Sequence, residues 1–287
     1  MKILVTGYTG QLGYDVVRIG ESRGYQMFGV GSKELDLTVE SEVERVVSSF
    51  NPDVIIHCAA YTAVDKAEEE KDICWDVNVN GTKYLANIAK EIGCKFLFVS
   101  TDYVFNGEGE TPFKEEDLPS PIGYYGHTKF EAESIIQQTL SEWFICRISW
   151  VFGENGNNFV KSMLRLAETR DELNIVHDQV GSPTYTYDLA NLLLNMIKTD
   201  KYGLYHISNE GFCSWAEFAE EIFRVANKNV NVNRITSAEY PTPAARPKNS
   251  RMSKDKLVLN GFDRLPNWKS ALKHYLAVGE EEETIQR

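Results

Sequence analysis

Short, wholly apolar runs alternate with helical spacing through the first half of the chain. The runs predict five strands, at Lys2–Thr6, Gln26–Val30, Val54–Cys58, Lys95–Val99 and Phe144–Ile148. Helical patterns lie between them, at Gly10–Arg23, at Val39–Phe50 with Thr38 as its cap, in a long stretch ending near Ile92, and from about Tyr125 to Leu140. Strands that are apolar on both faces need helices on both sides, joined by right-handed crossovers. The pattern predicts an α/β fold built on a Rossmann-type doubly wound parallel sheet.

The second half is less regular. We expect a helix at Asn158–Glu168, a strand at Leu173–Val176, and a helix over Ser214–Asn227 that opens with the capping box S-W-A-E. Prolines interrupt the stretch Ile235–Ser253. We therefore expect residues 1–150 to form the sheet domain, with parts of the second half returning to it, and residues 151–287 to form mainly a smaller C-terminal lobe.

A glycine-rich turn separates the first strand from the first helix. Gly7, Gly10 and Gly13 in T-G-Y-T-G-Q-L-G would let the backbone approach a pyrophosphate at the helix N-terminus. The second strand ends without the acidic residue that selects NAD; Lys33 could tolerate a 2′-phosphate, and Asp36 could meet the adenine. We predict use of both NADPH and NADH, and a preference above about a thousandfold (~4 kcal/mol) would contradict this.

A tyrosine and a lysine form Y-x-x-x-K at the start of a predicted helix. Tyr125 and Lys129 share one helix face, and we expect the ammonium to lower the phenol pKa from about 10. Such a tyrosine is a suitable acid for a carbonyl that gains hydride. Thr101, at the end of the fourth strand, could bond that carbonyl, and Asp102 could contact a substrate hydroxyl or tune the tyrosine. The neighbouring Tyr124 lacks a lysine at this spacing.

Composition excludes several classes of protein. A net charge of −12 argues against a nucleic-acid partner, and no apolar run approaches the roughly 20 residues that span a membrane. The acidic runs Glu68–Glu70 and Glu280–Glu283 predict solvated surface, and His57 and His127 are interpreted as structural. No zinc spacing or G-x-S-x-G elbow is present, so no metal ligand is assigned. Five scattered cysteines indicate reduced thiols and a cytoplasmic protein: Cys58, Cys74, Cys94, Cys146 and Cys213.

Several motifs together resemble a known superfamily. T-G-x-x-G-x-x-G, A-A-Y-T-A-V-D-K-A-E, S-T-D-Y-V-F and Y-G-x-T-K occur in the order typical of extended short-chain dehydrogenases/reductases. Four second-half segments narrow the resemblance to the dTDP-4-dehydrorhamnose reductases: Arg147–Phe152, Gly156–Lys161, Asp178–Thr184 and Tyr240–Arg251. The resemblance covers the chain from Lys2 to about Leu276.

The resemblance implies roles for individual residues. It assigns the cofactor to Gly10, Gln11 and Leu12 at the pyrophosphate, Asp36 and Leu37 at the adenosine, and Ala60, Tyr61 and Thr62 at the middle. It makes Tyr125 the proton donor and Lys129 the ribose clamp. It places Thr101, Asp102 and Trp150 on the keto sugar, and it adds Arg246 and Asn249 of the proline-rich loop Ile235–Ser253 to the substrate-binding residues. Arg246, Lys248 and Arg251 would supply cations for a pyrophosphate.

The implied reaction reduces the C4 ketone of dTDP-6-deoxy-L-lyxo-4-hexulose to dTDP-L-rhamnose with NAD(P)H, the last step of a route that serves cell-surface polysaccharide. Residues 1–150 would then bind the cofactor and residues 151–287 the substrate. The alternatives are another nucleotide-sugar 4-epimerase or dehydratase of the superfamily, and a non-catalytic regulatory subunit on the same fold. Some relatives form a homodimer bridged by Mg²⁺; Asp15 is the one candidate ligand, and the sequence supports no Mg²⁺ site.

Overall fold

The computed structural model describes residues 1–285, with side chains to residue 279, so the acidic run Glu280–Glu283 lies outside the described side chains. The first half contains five strands: β1 (Lys2–Thr6), β2 (Gln26–Val30), β3 (Val54–His57), β4 (Lys95–Thr101) and β5 (Trp143–Ile148). Its helices are α1 (Gln11–Ser22), α2 (Glu40–Phe50), α3 (Val64–Ala67), α4 (Lys71–Trp75), α5 (Gly81–Ile92) and α6 (Tyr124–Thr139). A π-helical segment, Asp76–Asn80, joins α4 to α5, and a 3₁₀ turn, Asp102–Val104, follows β4.

The second half alternates short strands with helices. Its strands are β6 (Val151–Phe152), β7 (Glu172–Val176), β8 (Val180–Gly181), β9 (Thr184–Tyr185), β10 (Gly203–His206), β11 (Asn209–Glu210), β12 (Cys213–Ser214), β13 (Asn231–Ile235) and β14 (Leu265–Asn267). Its helices are α7 (Phe159–Leu166), α8 (Thr186–Met196), α9 (Trp215–Val225), α10 (Asp255–Leu259) and α11 (Trp268–Ile285), with a 3₁₀ turn at Ser237–Glu239.

Six strands form one parallel sheet in the order β10-β5-β4-β3-β1-β2. The strand order reverses between β1 and β3, where Thr6 pairs with His57. This confirms the predicted doubly wound sheet, whose edge strand β10 comes from the second half. Ligands of such sheets bind beyond the carboxyl ends of the strands at this reversal.

Apolar side chains cover both faces of the sheet. On one face α1 and α8 pack over β1 and β5, with Val16, Leu189 and Leu193 fully buried. On the other face α2, α5 and α6 bury Val43, Leu85 and further residues against β4. A third cluster, between α7, α9 and α11, belongs to the second half. The sheet is therefore rigidly held on both sides, and the third cluster forms a separate apolar centre.

Two local expectations fail and one is confirmed. Thr38 does not cap α2, because its hydroxyl and its N–H both bond Asp36; Val39 occupies the N-cap instead. The long helical stretch before Ile92 is broken into α3, α4, the π-helical segment and α5. The capping box on α9 is present, with Ser214 and Glu217 each bonding the other's main-chain N–H.

Candidate active site

A cavity of about 760 Å³ runs along the carboxyl ends of the central strands. This volume lies within the range of small-molecule sites. The predicted site residues in its wall are Gly7, Gly10, Gln11, Leu12, Gly13, Asp36, Leu37, Ala60, Thr62, Thr101, Asp102, Tyr125, Lys129 and Trp150. The predicted residues Tyr61, Arg246 and Asn249 lie outside that wall. The parts of the chain predicted to bind cofactor and to transfer a proton therefore meet in one place.

The glycine turn forms one end of the cavity. Gly7 has a φ of 71°, and a Cβ there would lie 2.8 Å from the main chain of Ala59. A Cβ on Gly13 would lie 2.2 Å from the carbonyl oxygen of Gly7. Helix α1 begins at Gln11, and its N-cap, Gly10, makes no side-chain cap bond. The open N–H groups of this 12-residue helix fit the pyrophosphate of a dinucleotide.

The wall continues from the end of β2 to the end of β3. Gly31, Ser32, Asp36 and Leu37 line it, whereas the exposed Lys33 lies beside it. The pKa of Asp36 is lowered by hydrogen bonds from Thr38. At the end of β2 the N–H of Gly31 donates to the Glu34 carboxylate at 2.9 Å, and neither Glu34 nor Lys33 is among the residues that line the wall.

Next along the wall, Ala60 and Thr62 line the cavity, while Tyr61 turns its hydroxyl outward to Glu70. The main chain of Tyr61 is held from both sides by Asn78, whose Oδ1 accepts from its N–H at 2.7 Å. Asn78 lies in the π-helical segment, is 1% exposed, and also donates to Thr128. This residue was not predicted; π-helical turns are frequent at functional sites.

The proposed proton-transfer groups converge. Thr101 ends β4, lines the same cavity as Tyr125 of α6, and donates its hydroxyl to Oδ1 of Asp102 at 3.1 Å, and the rings of Tyr103 and Tyr125 meet edge to face at 5.8 Å. Lys129, 2% exposed, sits with its Nζ 3.9 Å from the Phe98 ring centroid. A Cβ on Gly126 would lie 2.1 Å from the carbonyl oxygen of Tyr103, so the turn of α6 packs directly on the strand end.

Glu68 corrects one prediction. It was assigned with Glu70 to a solvated acidic run, but its Oε1 accepts from the N–H of Tyr124 at 2.8 Å. Tyr124 is the first residue of α6, whose N-cap, Gly123, has no side chain to do this. A carboxylate at a helix N-terminus is stabilising, so Glu68 helps to fix where the helix of Tyr125 begins.

Burial dominates the protonation of the site. It raises the pKa of Tyr125, the charge of Asp102 raises it further, and the nearby Thr101 hydroxyl lowers it. The net change in the pKa of Tyr125 is upward, so the expectation of a lowered phenol pKa is not met. Burial lowers the pKa of Lys129 to about 7, against the opposing charge of Glu133. Burial also raises the pKa of Asp102 to about 6.

At the other end of the cavity stands Trp150, with a left-handed φ of 48°. Such a backbone is strained for a bulky residue and clusters at functional sites. Its ring stacks on Trp215 at 3.7 Å, and Gly181 leaves room for it, since a Cβ there would lie 2.9 Å from the indole. Near it Asp102, 3% exposed, has one buried oxygen without a hydrogen-bond partner among the described residues. An aromatic face and an available acceptor suit a sugar.

The predicted cations of the proline-rich loop are paired. Arg246 donates to Asp65 at 2.7 Å, and Lys248 lies 3.4 Å from Asp178. Arg251 donates to Asn249, whose buried amide donates to two main-chain carbonyls, so Asn249 supports the loop. Arg246 keeps one buried nitrogen, Nη1, without a hydrogen-bond partner among the described residues.

Among the residues that the structure describes, no three His, Cys, Asp or Glu side chains are grouped to hold a metal ion. Asp15, the candidate Mg²⁺ ligand, is fully buried and accepts hydrogen bonds from Thr186 and Arg18. Within the same described part of the chain, every helix is too short or too polar to cross a bilayer.

The fold and the site together define a nucleotide-binding oxidoreductase of the extended short-chain dehydrogenase/reductase class. The chain belongs to the family described as "RmlD substrate binding domain", whose model matches residues 1–280. It is 42% identical to the dTDP-4-dehydrorhamnose reductase of Aggregatibacter actinomycetemcomitans, over 97% of this chain and 99% of that protein. It is 38% identical to the spore coat polysaccharide biosynthesis protein SpsK of Bacillus subtilis, over 96% of each. The crystal structure of the Bacillus anthracis dTDP-4-dehydrorhamnose reductase in complex with NADP superimposes with a TM-score of 0.94, at 41% identity over 96% of this chain and 98% of that one.

Proposed function

We propose that this protein reduces the C4 ketone of dTDP-4-dehydrorhamnose to dTDP-L-rhamnose, with NADPH or NADH as the reductant. The observation that carries the proposal is the meeting of Thr101, Tyr125 and Lys129 in one cavity with the glycine turn. Relatives at 42% and 41% identity bear the name of this activity, and one of them binds NADP.

Each group has a chemical task. The nicotinamide, when bound, supplies the hydride. Tyr125, kept protonated by burial, would donate its phenolic proton to the C4 oxygen, and the Thr101 hydroxyl would hydrogen-bond that oxygen as charge develops. Lys129 would hold the nicotinamide ribose, and the glycine turn the pyrophosphate.

Residues of both halves would recognise the sugar nucleotide, which extends the prediction that residues 151–287 bind it. Trp150 offers its ring to the sugar, and Asp102 offers a buried carboxylate oxygen to a hydroxyl. From the proline-rich loop, Arg246 would meet a phosphate through Nη1, which has no hydrogen-bond partner among the described residues. Asn249 would act by shaping this loop.

The test is direct. Purified protein is mixed with dTDP-4-dehydrorhamnose and NADPH or NADH, loss of reduced cofactor is followed by absorbance, and the sugar product is identified. Cofactor oxidation that yields dTDP-L-rhamnose is expected with both cofactors. Tightly bound, non-exchanging NAD would point to an epimerase, and failure to reduce any 4-keto dTDP-sugar would point to a regulatory subunit.

Location and assembly belong to the same proposal. We place the enzyme in the cytoplasm, since its five cysteines are free thiols and four of them are buried. The family resemblance implies a homodimer, which light scattering of the purified protein would measure. A monomeric mass would remove the homodimer without affecting the proposed reaction.

A further inference from the structure

A buried ion pair lies behind the cavity. Glu133 of α6 and Arg147 of β5 have side chains only 1% and 2% exposed. The guanidinium donates twice, from Nε to Oε1 at 2.9 Å and from Nη2 to Oε2 at 2.6 Å. Removing two charges from water is costly, so such a pair needs several well-formed hydrogen bonds. A third bond, from Ser100 Oγ to Glu133 Oε1 at 2.5 Å, completes it.

The three residues connect the elements that carry the site. Ser100 directly precedes Thr101 at the end of β4, where it pairs with Arg147 of β5. Glu133 lies one helical turn beyond Lys129 and two turns beyond Tyr125, on the same face of α6. Glu133 itself is not in the cavity wall, so it acts on the site through its neighbours.

We propose that Glu133 is a positioning residue, whose carboxylate fixes the tip of β4 against α6 and so sets where the Thr101 hydroxyl lies relative to the Tyr125 phenol. The proposal rests on the proposed reductase function. The Arg147 guanidinium also lies over the Phe105 ring, 5.0 Å from its centroid. The bonds of Glu133 therefore join α6 to the ends of both β4 and β5.

Glu133 also acts on Lys129 through its charge. The groups that influence Lys129 are Glu133 on its own helix, Cys58 and His57 at the end of β3, and Cys74 on α4. Burial raises the pKa of both thiols and lowers that of His57, so these three are neutral near pH 7. The carboxylate of Glu133, which is paired with Arg147, favours the ammonium form of Lys129.

The experiment compares three single variants and one double variant. Ser100→Ala removes the bond to the strand, Glu133→Gln removes the charge, and Ser134→Ala is the matched control. Ser134 is the next residue on α6, and its hydroxyl bonds only Phe130 of the same helix. We expect Ser100→Ala to lower kcat about tenfold, because small misplacements of reacting groups are costly. The KM for NADPH should stay within about twofold, and Ser134→Ala should match the wild type in both.

Two readouts separate positioning from general loss of structure. If Ser100 acts through Glu133, adding Ser100→Ala to Glu133→Gln should lower kcat far less than the tenfold expected for Ser100→Ala in the wild type. NMR titration of lysines labelled at Cε should show Lys129 losing its proton at lower pH in Glu133→Gln than in the wild type. Thermal melting checks that each variant is folded.

Additive losses in the double variant, an unshifted Lys129 titration, or equal kcat for Ser100→Ala and Ser134→Ala would overturn the proposal. Because the titration needs no substrate, it still tests the effect of the Glu133 charge on Lys129 if the wild type reduces no dTDP-sugar. That last result would defeat the proposed function alone.

Discussion

At the scale of single residues, burial sets the protonation of the groups that would handle the proton. The raised pKa of Tyr125 keeps the phenol protonated at neutral pH, as a proton donor requires. The pKa of Lys129 is near 7, so the charge of its side chain depends on pH around neutrality. Sequence spacing predicted that these two residues share a helix face, but not that burial would outweigh their mutual influence, since burial depends on what the rest of the chain packs around them.

Replacing the phenol tests its role most directly. Tyr125→Phe keeps the ring against Tyr103 and removes only the hydroxyl group. We expect kcat to fall by about 10²–10⁴, the usual contribution of a general acid. NADPH affinity, measured by fluorescence titration, should persist, because the glycine turn is untouched. Near-normal turnover would remove Tyr125 from the mechanism.

Lys129 predicts the pH dependence. Its pKa in the folded protein is about 7, below the ordinary 10.5, so the ammonium is lost as pH rises through 7 and kcat/KM should fall there. The effect on stability is the opposite. Between these two pKa values the lysine is protonated in the unfolded chain but not in the folded one, so its contribution to the free energy of unfolding rises with pH. Steady-state pH profiles measure the fall in kcat/KM. Urea denaturation at several pH values measures the free energy of unfolding. Lys129→Arg cannot lose its charge, and its residual activity should show no decline near pH 7.

At the scale of elements, the sequence pattern located the sheet because each strand is a short apolar run between turn residues. It ended β4 at Val99, whereas pairing with Arg147 and Ile148 of β5 carries the strand through Ser100 to Thr101. A hydrophobic pattern does not detect polar residues at the end of a strand, yet here Ser100 and Thr101 belong to the site. The break of the long helical stretch was missed for a related reason, since Asn78 turns inward to bond a loop.

The strand–turn–helix unit of the glycine turn should tolerate no side chain at its third glycine. A methyl on Gly13 would lie 2.2 Å from the Gly7 carbonyl oxygen and would push α1 from β1. We expect Gly13→Ala to weaken NADPH binding at least about tenfold (~1.4 kcal/mol) and to lower the melting temperature. Gly279→Ala is the control, because a Cβ there meets nothing within 4 Å. Unchanged NADPH affinity in Gly13→Ala would show that the turn does not bind the cofactor.

At the scale of the whole molecule, contacts between distant segments shape the substrate end of the cavity. Trp150 stacks on Trp215, and Asp65 bonds the proline-rich loop at Arg246 and at the N–H of Ala244. The motifs predicted that Trp150 and Arg246 matter, but their supports lie 65 and 181 residues away along the chain. No local pattern encodes such pairs, so Trp215 and Asp65 could be found only from the fold.

Asp65 offers a test of this long-range support. Asp65→Ala removes both bonds that tie the proline-rich loop to the end of α3, so the loop should order less well over the bound sugar nucleotide. We expect the KM for dTDP-4-dehydrorhamnose to rise about tenfold, while NADPH affinity stays unchanged because the glycine turn lies at the other end of the cavity. Glu220→Ala, which breaks the exposed pair of Glu220 with Arg234, is the matched control for losing an ion pair far from the cavity. The pair of Glu220 with Arg234 is exposed and contributes little to stability, so Glu220→Ala should melt close to the wild type, whereas Asp65→Ala leaves a half-buried guanidinium without its partner and should melt at a lower temperature. A rise in KM shared by both variants would mean that general loosening, and not the tie at Asp65, governs substrate binding.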